Sequence, residues 1–363
     1  MKDYIPNVMH RLYGILLCFL VISMVLGMLF VGLYPFNFSP PNRASFTEDG
    51  GIQFFGRGIA YRSGTGVWPP KNPVTLELVL QPERTYHHRT PHILSLCDRS
   101  GHEVMYLGQW EDSLIIRLVE DNVLGEEIQR EIGADNVLRP GLPVHISLVL
   151  NKGKAEIYSN GELVRKYDDF GFSSAALKRP IHTLVVGNAP TGDSSWRGKV
   201  MDLNVLSGLT DPASLRNRYE QKNASPGQGM RRFMIPETLT PIRREFLSLS
   251  SLNDVDERSF YKDVFINVAG FVPLGLALSM LFSGIPIKKN AALYFLIPVL
   301  TGGLLSLFIE TSQSFLLSRS SSMTDLVLNM LGSGIGVVVY LGGEKIISNL
   351  KFRIPDKNRG LHC

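Results

Sequence analysis

Long uncharged apolar runs stand at both ends of this chain, and between them apolar residues come in short bursts broken by turn formers. The two patterns predict two kinds of structure. From residue 12 to 38 no side chain is charged, and 15–31 is nearly all Leu, Ile, Val, Phe and Met. At about 1.5 Å of helical rise per residue, such a run crosses a hydrocarbon core of about 30 Å. Runs at 264–287, at 291–308 with a polar end continuing to Gln313, and at 326–343 have the same character. Four transmembrane helices are therefore expected. The first is read as an uncleaved signal anchor: its apolar stretch is too long for a signal peptide, no small-residue cleavage site follows, and Leu33-Tyr34-Pro35-Phe36 has the make-up of an aromatic interface belt.

The middle region has the period of strands. Runs at 74–80, 93–97, 114–119, 145–150, 183–186 and 200–206 are rich in Val, Leu and Ile, with Gly, Pro, Asn and Asp between them. Residues 155–167 place Asn160-Gly161 between two alternating segments, a strong hairpin signal because both turn positions need positive φ. An antiparallel sandwich buries such strands economically. The expected fold class is thus an α-helical membrane bundle of four transmembrane helices plus an all-β sandwich ectodomain. Expected boundaries are a cytoplasmic N-terminus and first helix at 1–42, the sandwich at 43–210, a linker and juxtamembrane segment at 211–262, helices two to four at 263–345 and a cytoplasmic tail at 346–363. Within the linker, alternation of charged and apolar residues at 243–252 predicts a short interfacial helix.

Charge supplies an orientation. Lys2 and Arg11 precede the first run, Lys288 and Lys289 lie between the second and third, and Lys345, Lys351, Arg353, Lys357 and Arg359 follow the fourth. Keeping all of them in the cytoplasm places both termini inside and the sandwich outside. The net charge of +4 is then mostly an address signal, and no basic-aromatic surface suggests nucleic acid as a partner. Three cysteines, Cys18, Cys97 and Cys363, leave only Cys97 in the sandwich, so its core must hold it without an internal disulfide.

The candidate chemistry lies in the last hundred residues. Asp263, Asn267 and Gly270 repeat as Asp325, Asn329 and Gly332, with each Asp and Asn one helical turn apart on a shared face. Glu310 and Gln313 share a face of the intervening run, and Arg319 lies in the loop after it. On the orientation above these polar groups converge at the outer leaflet, a setting in which intramembrane ionisable residues pair or bind something. Each also fits a scaffold role, since Asp suits a helix N-terminus and Asn and Gly aid helix packing. The seven residues Asp263, Asn267, Glu310, Gln313, Arg319, Asp325 and Asn329 form the candidate ligand site. No nucleophile-base pair, metalloprotease motif or phosphate loop accompanies them, so no catalytic residue, metal or cofactor is expected. His87, His88 and His92, and Asp98, Asp112, Asp121, Asn122 and Asp193, read as loop and turn residues and not as metal ligands.

Two resemblances add to this. Residues 157–164, and Trp196-Arg197-Gly198-Lys199-Val200 leading into Asp202-Leu203-Asn204-Val205, resemble late strands of concanavalin A-like (laminin G-like) jelly-roll domains, which implies an all-β jelly-roll sandwich ectodomain and carbohydrate or protein binding. The two Asp-x3-Asn-x2-Gly motifs, with Phe271-Val272-Pro273-Leu274-Gly275, Glu310-x2-Gln313-x5-Arg319 and Gly336, resemble the VanZ family of bacterial membrane proteins. That family implies an envelope role, and one member is associated with teicoplanin resistance. The large insert between the first and second helices departs from its simpler members. Taken together, these features predict a protein of the bacterial cytoplasmic (inner) membrane whose partners are the lipid bilayer and an envelope glycan or lipid-linked saccharide. It would recognise or handle that glycan or precursor. An intramembrane enzyme acting on lipid-linked phosphates, and a membrane-anchored carbohydrate- or protein-binding sensor, are the alternatives.

Overall fold

A computed structural model describes residues 4–64, 68, 73–121, 127–170, 180–208, 211–224, 229–244, 246–248, 257–283, 290–317, 319 and 321–353. These form two compact units, Ser39–Arg244, and Met1–Phe38 together with Glu245–Cys363.

The first unit is a β-sandwich. Its strands are β1 (Ala44–Phe46), β2 (Ile52–Phe55), β3 (Ala60–Ser63), β4 (Val74–Pro82), β5 (His92–Cys97), β6 (Glu103–Trp110), β7 (Ser113–Asp121), β8 (Glu127–Ala134), β9 (Val144–Asn151), β10 (Lys154–Ser159), β11 (Glu162–Tyr167), β12 (Thr183–Val186) and β13 (Arg197–Ser207). They pair into a seven-stranded sheet ordered β1-β2-β13-β4-β9-β10-β11 and a six-stranded sheet ordered β3-β12-β5-β6-β7-β8. Every pairing is antiparallel. The expected hairpin is β10–β11, with Asn160 and Gly161 both at positive φ. Alternate residues such as Leu76, Leu78 and Leu80 of β4 and Leu114, Ile116 and Leu118 of β7 point into the shared core. Each contributes roughly 1.5–3 kcal/mol by burial. Trp196 is fully enclosed, and its indole N–H donates to Gln109 Oε1 at 2.7 Å, so its polar edge is satisfied without solvent.

Residues expected only as linker contribute to this unit. Helix α2 (Pro212–Ala224) lies against the seven-stranded sheet through Leu215, Val149 and Tyr158. A 3-10 turn at Gly229–Arg232 then brings Met230 and, just beyond it, Phe233 into the main core. The chain enters and leaves the sandwich side by side: Asn42 N–H donates to Glu237 O at 3.0 Å, and Leu239 N–H to Pro40 O at 2.9 Å.

The second unit is helical: α1 (Tyr4–Leu33), α3 (Glu257–Phe282), α4 (Ala291–Gln313) and α5 (Met323–Arg353). Each contains a segment long and apolar enough to cross a membrane: Leu12–Leu33, Val264–Phe282, Ala291–Gln313 and Met323–Asn349. Large apolar side chains such as Leu16, Phe19, Phe265 and Leu304 face outward, as lipid-facing positions do. Among the described residues of 243–252, the expected interfacial helix is not found. Residues 243, 244 and 246–248 are non-helical, Leu247 has a φ of 48°, and the Ser248 backbone pairs with residues 321–323 instead of with its own segment. The Lys288-Lys289 turn and Cys363 lie outside the described residues.

A candidate polar site at the start of α5

Helix α5 starts with a cap written in its sequence. The Ser322 hydroxyl accepts from the backbone N–H of Asp325 at 3.4 Å, the Ser-x-x-acid arrangement that satisfies an otherwise unpaired donor of the first turn. Ser322 turns its own N–H to Glu310 Oε2 at 2.7 Å. Glu310 lies in the last turn of α4 and is 2% exposed, so its carboxyl rests against the electropositive start of α5. Beside the cap, Asn267 of α3 donates through Nδ2 to Asp325 Oδ1 at 2.8 Å. Three helices therefore meet around Ser322.

Residues 246–248 lie across the same place. Leu247 N–H donates to Ser321 Oγ at 3.1 Å and Ser248 N–H to Ser321 O at 3.0 Å. A parallel bridge joins Ser248 to Ser322. One turn deeper, Asn329 donates through Nδ2 to Ser306 Oγ of α4 at 2.9 Å. The close approach of α3 and α5 rests on glycine. A Cβ at Gly332 would lie 2.3 Å from the Val268 carbonyl oxygen, and one at Gly336 2.3 Å from that of Val272, so any other residue would force the helices apart.

The seven candidate residues thus divide. Asn267, Glu310 and Asp325 gather at Ser322, and Asn329 sits one turn below. Gln313 and Arg319 turn to the end of α1, donating to Gly32 O at 2.9 Å and Tyr34 O at 3.4 Å. Arg319 is exposed and makes no ion pair among the described residues. Asp263 lies on α3 one turn before Asn267, and its side chain is outside the described residues. Ser306, Ser321 and Ser322 belong to the site although the sequence reading passed over them; Ser306 is four residues before Glu310, and that spacing is the signal that could have found it.

Chemically the group accepts hydrogen bonds. It holds two carboxyl groups, amides and hydroxyls, suited to the hydroxyl or amide groups of a ligand. Among the described residues no cluster of three or more His, Cys, Asp or Glu has metal-ligand geometry. In the sandwich, Asp98 accepts the N–H groups of Ser100 and His102 at 2.8 and 3.0 Å, closing a turn, and Asp193 accepts the hydroxyl of Thr191. His92 stacks on Tyr106 at 3.8 Å, and its Nδ1 lies 2.9 Å from Glu103. His87 is exposed and lies 3.2 Å from Glu111. Asn122 and the side chain of Asp121 are outside the described residues.

The loops at one end of the sandwich gather another group. Glu111 N–H donates to Tyr86 O at 2.9 Å, which ties the β4–β5 loop to the β6–β7 turn. Arg84 and Arg89 lie 4.8 and 5.9 Å from the Tyr86 ring, and Trp110, next in sequence to Glu111, is 38% exposed.

Among solved structures, the receptor-binding domain of botulinum neurotoxin C/D mosaic serotype is similar at 13% identity and a TM-score of 0.38, over 50% of this chain and 45% of that one. The CBM40 domain of Ruminococcus gnavus IT-sialidase, bound to α2,3-sialyllactose, is similar at 12% identity and a TM-score of 0.36, over 47% and 96%. Trypanosoma rangeli sialidase in complex with the inhibitor DANA is similar at 11% identity and a TM-score of 0.40, over 52% and 30%. The chain thus spans less than half the length of the neurotoxin domain and of the T. rangeli sialidase. The β-sandwich rests on the strand pairing described above and not on these likenesses. No curated protein gives a significant match. Residues 210–347 match the family model described as VanZ/LLP1, and with four membrane-capable helices the chain is a multi-pass membrane protein carrying a VanZ-like region.

Proposed function

We propose that this is a bacterial inner-membrane protein that recognises or handles an envelope glycan or a lipid-linked saccharide precursor, with its sandwich outside the cytoplasm. The observation that carries the reading is Glu310. A carboxyl group 2% exposed, inside an apolar bundle and held by a helix-start N–H at 2.7 Å, exceeds what the packing of four helices requires. Asn267 and Asp325 stand beside it, and Arg319 keeps an exposed guanidinium with no ion pair among the described residues. A phosphate of a lipid-linked precursor matches Arg319, and saccharide hydroxyls match the carboxyl and amide groups. On the sandwich, Arg84 and Arg89 offer cations to an acidic saccharide, and Trp110 offers an exposed aromatic face.

The test is binding of a polyprenyl-diphosphate-linked saccharide to the full chain in nanodiscs. Binding above protein-free discs, weakened about tenfold or more by Arg319→Gln and by Glu310→Gln in protein of unchanged unfolding temperature, is the expected result. Binding no greater than to protein-free discs, or equal in all variants, defeats the reading.

A further inference from the structure

Helices α3 and α5 lie side by side along a glycine seam. Gly332 meets the Val268 carbonyl and Gly336 that of Val272, so the two helices keep one register. At Ser333 a third helix joins them: a Cβ on Gly275 of α3 would lie 2.1 Å from the Ser333 carbonyl oxygen, and one on Gly302 of α4 2.1 Å from Ser333 Oγ. Four-residue steps along α5 from Gly332 and Gly336 then reach Tyr340 and Glu344, so two large side chains follow the two glycines on the same face. There a cavity of about 860 Å³ opens between Leu276 and Met280 of α3 and Val339, Tyr340, Glu344 and Lys345 of α5. Its size falls within the range of roughly 300–1,000 Å³ of small-molecule sites.

The lining divides into an apolar wall and a charged mouth. Leu276, Met280 and Val339 form the wall, and Val339 is 50% exposed, which leaves the flank open. At the mouth, Glu344 Oε1 accepts the Tyr340 hydroxyl at 2.8 Å. The Tyr340 ring lies 6.4 Å from that of Tyr294 on α4, whose hydroxyl donates to the Ser279 carbonyl at 2.6 Å, so the carboxyl group is braced. Lys345 beside it is exposed and makes no ion pair among the described residues. Depth fixes the surroundings. Nineteen residues of α5 separate Asp325 from Glu344, a rise of about 28 Å, close to the hydrocarbon thickness of about 30 Å. With the Ser322 cluster at one face of the membrane, Glu344 and Lys345 stand at the head groups of the other, and the apolar wall dips toward the acyl chains.

We propose that this cavity binds one phospholipid whose head group carries a primary ammonium, of the phosphatidylethanolamine type. An acyl chain lies along Leu276, Met280 and Val339, the phosphate meets Lys345, and the ammonium donates to the Glu344 carboxylate. A carboxylate next to a cation complements a zwitterion, whereas a purely anionic head group would bring like charge to Glu344. A primary ammonium has three N–H donors for that carboxylate and a quaternary one has none, so the site separates ethanolamine from choline lipids. The site lies at the opposite end of α5 from Ser322 and is independent of ligand recognition there.

The experiment titrates the full chain in detergent with dioleoyl phosphatidylethanolamine, phosphatidylcholine or phosphatidylglycerol and counts bound lipids by native mass spectrometry. One saturable site is expected, with the ethanolamine lipid bound about tenfold or more tightly than the other two. Glu344→Gln should lower the ethanolamine lipid to the level of the choline lipid without unfolding the protein, because glutamine still accepts the Tyr340 hydroxyl. Lys345→Gln should weaken all three lipids. Met280→Trp, which fills the cavity and changes no charge, should abolish the saturable site. Equal binding of ethanolamine and choline lipids by the unaltered chain, which is the mark of annular lipid only, overturns the proposal, and this comparison needs no variant. Tighter binding of the glycerol lipid overturns it too, as do a preference that survives Glu344→Gln, binding unchanged in Lys345→Gln, and a saturable site that persists in Met280→Trp.

Discussion

Cys97 shows how burial decides chemistry at the residue scale. It is fully enclosed in β5, and burial with the nearby Glu103 and Asp98 carboxyl groups pushes its thiol far above the ordinary range. A membrane-impermeant maleimide should therefore leave Cys97 untouched in native protein and label it after denaturation; labelling of the native form would show that the β5 face opens. Mapping the membrane side of the sandwich needs a cysteine placed on an exposed loop instead. The same scale explains what was readable of the candidate site. Glu310 and Asn329 stand out because an acid or an amide in an apolar run is expensive, whereas serine hides its hydroxyl on the carbonyl four residues back at little cost. Ser312 does this with Phe308, and Thr301 does the same with Ile297. Ser306 and Ser333 look alike in sequence, and only packing separates them. Gly270 and Gly332 occupy matching places in the repeated motif, yet Gly332 lies against the Val268 backbone while Gly270 has open space around its Cα.

At the scale of elements, alternation revealed β4, β7, β9 and the β10–β11 hairpin, whose apolar faces repeat cleanly. It missed β1, β2 and β3, which are only three or four residues long, β6, which is buried along nearly its whole length and so shows no alternation, and β8, which occupies a sheet edge and carries Glu127, Gln129, Arg130 and Glu131. Helix α2 was illegible because its sequence is largely polar and, among its described side chains, only Leu215 is fully buried. Its hold on the sheet is partly ionic. Glu77 of β4 is completely buried, and Arg218 reaches it with two hydrogen bonds, at 2.6 and 2.9 Å. That pair raises the Arg218 guanidinium above its ordinary value. Arg218→Ala should cost about 2–3 kcal/mol, because a buried carboxylate loses its bidentate partner. Adding Glu77→Gln to that variant should recover part of the loss. Thermal unfolding of the two variants measures both effects, and an equal loss in the double variant would show that packing and not charge holds α2.

At the scale of the molecule, residues 39–244 form a unit with their own core, two complete sheets and their own covering helix. Expressed alone, this segment should be soluble, β-rich by circular dichroism and cooperative in thermal unfolding under reducing conditions. A helical or unfolded spectrum would refute its independence. The tied neck at Pro40, Asn42, Glu237 and Leu239 makes such autonomy possible, because the two chain ends already lie together before any helix is reached. Asn42 reinforces the tie through Nδ2, which donates to Pro236 O at 2.8 Å and to Ile59 O at 2.8 Å. A domain rooted in this way needs no more width at its base than a short turn. Some two hundred residues then enter the link between two membrane helices as a loop would, and an unrelated domain with adjacent ends is interchangeable there without respacing the helices.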